Sequence, residues 1–135
     1  MNKQFVISVV VSLVLLMAFG SLVHGVLLDA DYSQLQVQGV YRSDDEQMKR
    51  FPLMLVAQLL TAIALVWVYQ RGKEAKPPLA QGIRYGLAVA ALMIIAKFLI
   101  YYIVMPIPES LMVKQIVFDT IAIVVVSIVV AHLNQ

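Results

Sequence analysis

Four long apolar runs decide what this chain can fold into. They cover about residues 5–28, 51–70, 83–105 and 111–133. A helix that crosses a bilayer needs about 20 mostly apolar residues. Of the 135 residues, 61% are hydrophobic and 13% are charged, whereas a soluble domain has about 25% charged residues. The pattern predicts an all-α, integral membrane, four-helix transmembrane bundle that forms one domain over residues 1–135.

The first run has an alternative interpretation as a cleaved signal peptide. Lys3 supplies a short basic start, and small residues near Gly20 resemble a cleavage site. The apolar stretch is nevertheless longer than the roughly 7–15-residue core of a signal peptide. We therefore expect it to be the first transmembrane helix.

The third and fourth runs form a hairpin with one charge inside each helix. Pro106 and Pro108 mark the turn, Lys97 lies eight residues before Met105, and Asp119 lies eight residues after Leu111. At 1.5 Å per residue, both charges lie roughly 12 Å from the turn. Opposite charges at one depth in a membrane are expected to face each other or a polar cavity. The sequence thus predicts a Lys97–Asp119 pair.

Residues 29–50 form the longest polar segment, which we expect to be an external loop with a short surface helix. Ser43 and Glu46 have the spacing of a capping box, so a helix is predicted to start near Asp44. Pro52 is expected to kink this helix before the second span, because proline lacks the amide hydrogen. Residues 31–41 show no clear period and are expected to be a loop or a partly ordered cap.

Basic residues set the expected orientation. The linker, residues 71–82, contains Arg71, Lys73 and Lys76 against one acid, whereas residues 29–50 are rich in acids. Basic loops stay in the cytoplasm. We therefore expect both termini and the linker inside, with residues 29–50 and the proline turn outside.

With this topology, polar groups from all four helices fall in the outer half of the membrane. The predicted intramembrane cluster, structural or ligand-binding, comprises Lys97, Asp119, Gln58, His24, Tyr101 and Gln115. Three interpretations stay open. The Lys97–Asp119 pair serves only to set helix register, the cluster is a cavity for a ligand, proton or ion, or Lys97 snorkels outward with no pair.

Small residues on the third helix predict close helix packing. Gly82, Gly86 and Ala90 recur at four-residue spacing, which lets two helix backbones approach. The stripe continues through Met93, Lys97 and Tyr101. The outward faces of the fourth helix, which carry Val124 with Val125 and Ile128 with Val129, are expected to contact lipid.

Several function classes lack support in the sequence. There is no cysteine and hence no thiolate site, and the net charge of +2 is too small and scattered to predict nucleic-acid binding. Glycine-rich phosphate loops, zinc-protease motifs and nucleophile elbows are missing from the sequence. We predict no catalytic residue, metal or cofactor.

Several stretches are similar to a family of small four-helix bacterial inner-membrane proteins of unknown function. They are Val40–Ser43 with Arg50–Pro52, Trp67–Gly72, Gln81–Gly86, Ile100–Tyr102 with Pro106–Pro108, and Lys114–Thr120. The resemblance implies four helices and a bacterial inner membrane. It brings no activity, ligand or catalytic residue.

These observations favour a non-enzymatic membrane protein that binds a ligand or partner through the polar cluster. The alternative is a small transporter or channel that uses Asp119 and Lys97 as an ion or proton site. A membrane enzyme is the third and least favoured class. The expected partners are the lipid bilayer and either a second copy of the chain or another membrane protein.

Overall fold

The computed structural model describes residues 2–135. In this range the chain forms helices joined by turns and short loops, with no strand. The helices are α1 (Lys3–Leu27), α2 (Asp29–Val37), α3 (Asp44–Lys49), α4 (Phe51–Gly72), α5 (Pro78–Val104) and α6 (Glu109–Leu133). Four of them, α1, α4, α5 and α6, are long and apolar enough to cross a membrane. The predicted all-helical fold with four long apolar helices is confirmed. Helix α5 begins five residues before its expected start, so the linker shortens to residues 73–77.

The long helices pack in the order α4–α1–α6–α5. Helix α1 lies between α4 and α6, and α5 packs along α6. The two outer helices, α4 and α5, make little direct backbone contact. The Tyr85 hydroxyl bridges them by donating to the Leu65 carbonyl at 2.7 Å. A lateral groove therefore remains between α4 and α5.

The closest packing joins α5 to α6. A methyl group on Gly82 would lie 2.5 Å from Ile128 Cα, and one on Gly86 would lie 2.7 Å from Val124 Cα. The glycines therefore allow the backbones to touch, as sequence spacing predicts. The expectation that Val124 and Ile128 face lipid is wrong, because these residues form the surface that receives the glycines.

Residues 28–50, which we term the cap, cover one end of the bundle. Leu28 and Leu35 pack with Ile107 and Leu111 in a small core beneath the cap. Helix α2 occupies part of the segment that the sequence predicts to be a loop. It ends at Val37, and the following Gly39, with a φ of 73°, lets the Val40 amide donate to the Leu35 carbonyl. Burial of Leu35 accounts for this ordered helix.

Two details of the cap differ from expectation. Ser43 precedes α3, but its side chain makes no capping hydrogen bond. Gln36 and Gln47 tie the cap together instead, since both donate to the Arg42 carbonyl. Pro52 lies in the first turn of α4, where a missing amide hydrogen is harmless. The chain therefore breaks at Arg50 rather than kinking at Pro52.

The opposite end, which we term the linker end, is fastened by Asn134. Its side-chain amide donates to Ser8 Oγ at 2.9 Å and accepts from Gln70 at 2.7 Å. Lys73 donates to its carbonyl at 2.9 Å. Asn134 is 1% exposed, so its bond to Ser8 is buried, whereas those from Gln70 and Lys73 are partly buried. They join the start of α1 and the ends of α4 and α6.

Candidate functional site

His24 lies where α1 widens into a π-helical turn, Val23–Leu27, beneath the cap. The Leu28 amide donates to the Val23 carbonyl at 2.9 Å, five residues back. Turns of this kind occur frequently at functional sites. Here the π-turn ends α1 and leads directly into α2, so His24 faces both the bundle and the cap.

Both ring nitrogens of His24 are engaged. Nε2 lies 2.9 Å from Asp119 Oδ1 and 3.1 Å from Oδ2, and Nδ1 lies 2.6 Å from the Tyr32 hydroxyl. A carboxylate only accepts hydrogen bonds, so Nε2 carries the proton toward Asp119. In the neutral ring, Nδ1 then accepts from Tyr32. Asp119 thus sets the tautomer of His24.

The network continues from Tyr32 to Gln115. The Gln115 side-chain amide donates to the Tyr32 hydroxyl at 2.9 Å. Burial raises the pKa of Tyr32 to about 12, and the hydrogen bond from Gln115 opposes this rise. Tyr32 therefore stays a neutral hydroxyl that donates to His24. Asp119, His24, Tyr32 and Gln115 form a directional chain, which we term the His24 network.

Lys97 lies outside this network. Within residues 2–135, the ion pairs are His24–Asp119, Lys76–Glu74, Arg84–Glu74 and Lys114–Asp31, and none joins Lys97 to a carboxylate. Its Nζ lies 4.4 Å from the centre of the Phe98 ring. The direct Lys97–Asp119 pair expected from shared depth is therefore not formed.

A π-turn in α5 explains why Lys97 misses Asp119. Residues Ala91–Ile95 form this turn, which adds about one residue and rotates all later positions by about 100°. Before the turn, Gly82, Gly86 and Ala90 are buried. Within the turn the buried position is Ile94 and after it Phe98, while Lys97 is exposed. The prediction that the stripe continues beyond Ala90 through Met93, Lys97 and Tyr101 is therefore wrong.

Two clefts meet at His24. The cap cleft, of about 580 Å³, lies between the cap and the bundle, and the inner cavity, of about 260 Å³, lies between the four long helices. Of the six residues in the predicted cluster, the inner cavity is lined by His24, Gln58, Lys97 and Asp119. The cap cleft is lined by His24, Tyr101 and Gln115. The cluster is thus divided between two spaces that share His24.

The two spaces differ in chemistry. The cap cleft is edged by acids, a base and amides, namely Asp29, Gln36, Arg42, Asp44 and Gln47. The inner cavity has mostly apolar walls, with Lys97 and Gln58 among its few hydrogen-bond donors. Among residues 2–135, no group of three His, Asp or Glu side chains is arranged to hold a metal ion.

Tyr32 is the residue of the candidate site that sequence reasoning missed. It lies in residues 31–41, which have no clear period, and eight positions separate it from His24. The only sequence signal was an aromatic residue with a polar tip after an apolar run, and that pattern is common.

Comparison of the chain with models of protein families, with curated proteins and with solved structures gives no match.

Proposed function

We propose that this chain is a non-enzymatic, multi-pass binding protein of a bacterial inner membrane. Its ligand would bind at the His24 network, in the half of the bundle nearer the cap. The four long apolar helices support a membrane location, and the sequence resemblance supports a bacterial inner membrane.

The proposed topology has the linker end in the cytoplasm and the cap outside. The two ends of the chain lie at the same end of the bundle, because the Gln4 side chain donates to the Leu133 carbonyl at 2.5 Å. Arg71, Lys73 and Lys76 occur at this end. Basic loops favour the cytoplasmic side. An N-in, C-in arrangement follows.

The position of His24 is the observation that carries the binding proposal. It lines both the cap cleft and the inner cavity, and Asp119 and Tyr32 hold its ring from both sides. Both ring nitrogens are already engaged, so the ring offers a ligand its face and C–H edges, held in one preorganised orientation. The side chain is still 36% exposed, so a ligand can reach it.

The chemistry of the lining indicates the kind of ligand. In the inner cavity, Lys97 Nζ and the Gln58 amide can donate hydrogen bonds, whereas the surrounding walls are largely apolar. Concave sites with few polar groups on apolar walls are typical of small-molecule binding. The site thus fits a ligand with an anionic or strongly accepting group and an apolar body.

Transport through Lys97 and Asp119 has less support. Asp119 is already bonded to His24. Toward the linker end, the interior is filled by buried apolar side chains, among them Leu65, Val66, Val126 and Val130. An ion that reached the inner cavity would meet this packed core. Binding from one side therefore fits the architecture better than passage.

Native mass spectrometry of protein released from cell membranes tests the binding proposal. We expect the wild type to carry a compound of defined mass, and His24→Leu to carry about tenfold less, which corresponds to about 1.4 kcal/mol of binding energy. Gln58→Leu, on the α4 wall of the same cavity, should also reduce the signal. His132→Leu is the matched control, because His132 is exposed and its ring forms a hydrogen bond with the Ile128 carbonyl of its own helix, away from both clefts. A wild type without any compound, or equal amounts on all four proteins, would contradict binding at His24.

A further inference from the structure

We infer that the groove between α4 and α5 holds one acyl chain of an anionic phospholipid, whose phosphate binds Lys97. This inference rests on the proposed function, because Lys97 lines the inner cavity of the same site. It identifies the ligand class as a lipid from the leaflet on the cap side.

The groove is an apolar channel of about 360 Å³ between α4 and α5, and with these helices across a membrane it would face the surrounding lipid. Its walls are formed by Ala64, Leu65 and Val68 from α4 and by Val89, Leu92 and Met93 from α5. No charged residue lines it. Such a surface matches a hydrocarbon chain.

The groove is continuous with the inner cavity. Thr61 and Met93 line both spaces. Lys97 lies one turn beyond Met93 toward the cap, and Gln58 lies about one turn beyond Thr61. A molecule seated here would therefore have its polar end at Lys97 and its chain directed toward the linker end.

The depth of Lys97 suits a lipid headgroup. Lys97 is seven residues from the end of α5, which places it about 10 Å below that end. Helix α5 has 27 residues, so it is about 40 Å long and exceeds the hydrocarbon core of about 30 Å. Lys97 then lies close to the boundary of the hydrocarbon core, and its flexible stem can carry the ammonium group to that boundary.

Charge complementarity selects an anionic lipid. Lys97 is exposed, and among residues 2–135 no carboxylate forms an ion pair with it. The carboxylate that lines the same cavity, that of Asp119, is engaged by His24. A cation near the boundary of the hydrocarbon core is stabilised by an anion, and a lipid phosphate at that boundary supplies one. Gln58 offers a second donor across the cavity.

Native mass spectrometry in detergent, with phosphatidylglycerol and phosphatidylcholine of identical chains as probes, tests this inference. We expect the wild type to bind phosphatidylglycerol about tenfold more tightly. Lys97→Met should abolish this preference, and Lys97→Arg should retain it. Lys114→Met is the charge control, since Lys114 pairs with Asp31 at the cap.

A variant that fills the groove tests whether a lipid acyl chain lies in it. Ala64→Phe should weaken binding of both lipids about tenfold, because Ala64 lines the groove. Ala18→Phe, at an exposed position of α1 outside all the clefts described, should leave binding unchanged. Far-ultraviolet circular dichroism of each variant verifies that the helices form.

Three results would overturn the inference. They are equal binding of the two lipids by the wild type, an unchanged preference in Lys97→Met, and no difference between Ala64→Phe and Ala18→Phe. A dimer that Ala64→Phe dissociates, with no lipid bound, would assign the groove to a second copy of the chain. If a His24-dependent compound is found and neither lipid binds, the inference fails and the proposed function stands. If the lipid binds independently of His24, the binding role of His24 fails instead.

Discussion

One N–H of His24 is shared between both carboxylate oxygens of Asp119, at 2.9 and 3.1 Å, although 95 positions separate the two residues. This contact joins α1 to α6 directly beneath the cap. Asp119 is therefore not paired with Lys97, although the shared depth of these two residues in the hairpin predicted such a pair. Lys97 is consequently available to a group from outside the chain.

A double-mutant cycle should separate the two candidate partners of Asp119. For His24→Leu and Asp119→Leu, we expect a coupling of about 1–2 kcal/mol in the free energy of unfolding, because the hydrogen bond involves a charged group but is partly exposed. For Lys97→Leu and Asp119→Leu, the coupling should stay within about 0.5 kcal/mol. Denaturant unfolding in micelles measures both. The reverse ranking would restore the Lys97–Asp119 pair.

Tyr32 should make stability fall at alkaline pH. Its pKa is raised from 10.0 to about 12 by burial, so between these values the unfolded state loses the phenolic proton while the folded state keeps it. The contribution of Tyr32 is therefore constant below pH 10 and decreases above it, by at most about 1.4 kcal/mol per pH unit. The measurement is the unfolding free energy of the wild type minus that of Tyr32→Phe across this pH range. The contributions of the other titrating groups cancel in this difference. A difference that is flat with pH would contradict burial of the hydroxyl.

Gly82→Ala should loosen the α5–α6 hairpin. The added methyl group would lie 2.5 Å from Ile128 Cα and 2.9 Å from Ile128 N. Backbone cannot move as freely as a side chain, so we expect a loss of about 1–3 kcal/mol or more in unfolding free energy. Gly72→Ala is the matched control, since nothing lies within 4 Å of its added methyl group, and its stability should change by less than about 1 kcal/mol. Equal effects at both sites would show that the close approach is unimportant.

Cysteine labelling should place the cap and the linker on opposite sides of the membrane. The chain has no native cysteine, so Ser33→Cys and Ala75→Cys, both at exposed positions, give single labels. In spheroplasts, a membrane-impermeant maleimide should react with Ser33→Cys directly and with Ala75→Cys only after permeabilisation. Direct reaction of both would remove α4 as a span, and the opposite pattern would invert the topology.

Much of the fold was predictable because hydropathy alone defines long apolar helices. The runs near residues 51–70 and 111–133 correspond to α4 and α6 within two residues at each end. Small residues at Gly82 and Gly86 predicted close packing of α5. The cap was less predictable, because α2 depends on burying Leu35 against Ile107 and Leu111 from the far end of the sequence.

The candidate site was predictable in depth and not in rotation about the helix axes. Sequence position predicted a similar depth along the bundle for four polar residues, because the rise per residue is nearly constant along a helix. They are His24, Gln58, Lys97 and Asp119. Which of them touch depends on rotation, and the π-turn at Ala91–Ile95 changes that rotation without a recognisable sequence signal. Phe98 rather than Lys97 consequently takes the buried position after the turn.

The sequence by itself therefore determined an all-helical chain with four long apolar helices, the turn between α5 and α6, and the level of the polar groups. These features depend on local composition and on distance along the chain. The tertiary structure decided that Asp119 bonds to His24, that Tyr32 completes the network, and that Lys97 lines the inner cavity instead of pairing with Asp119. These relationships depend on how helices distant in sequence rotate and pack against one another.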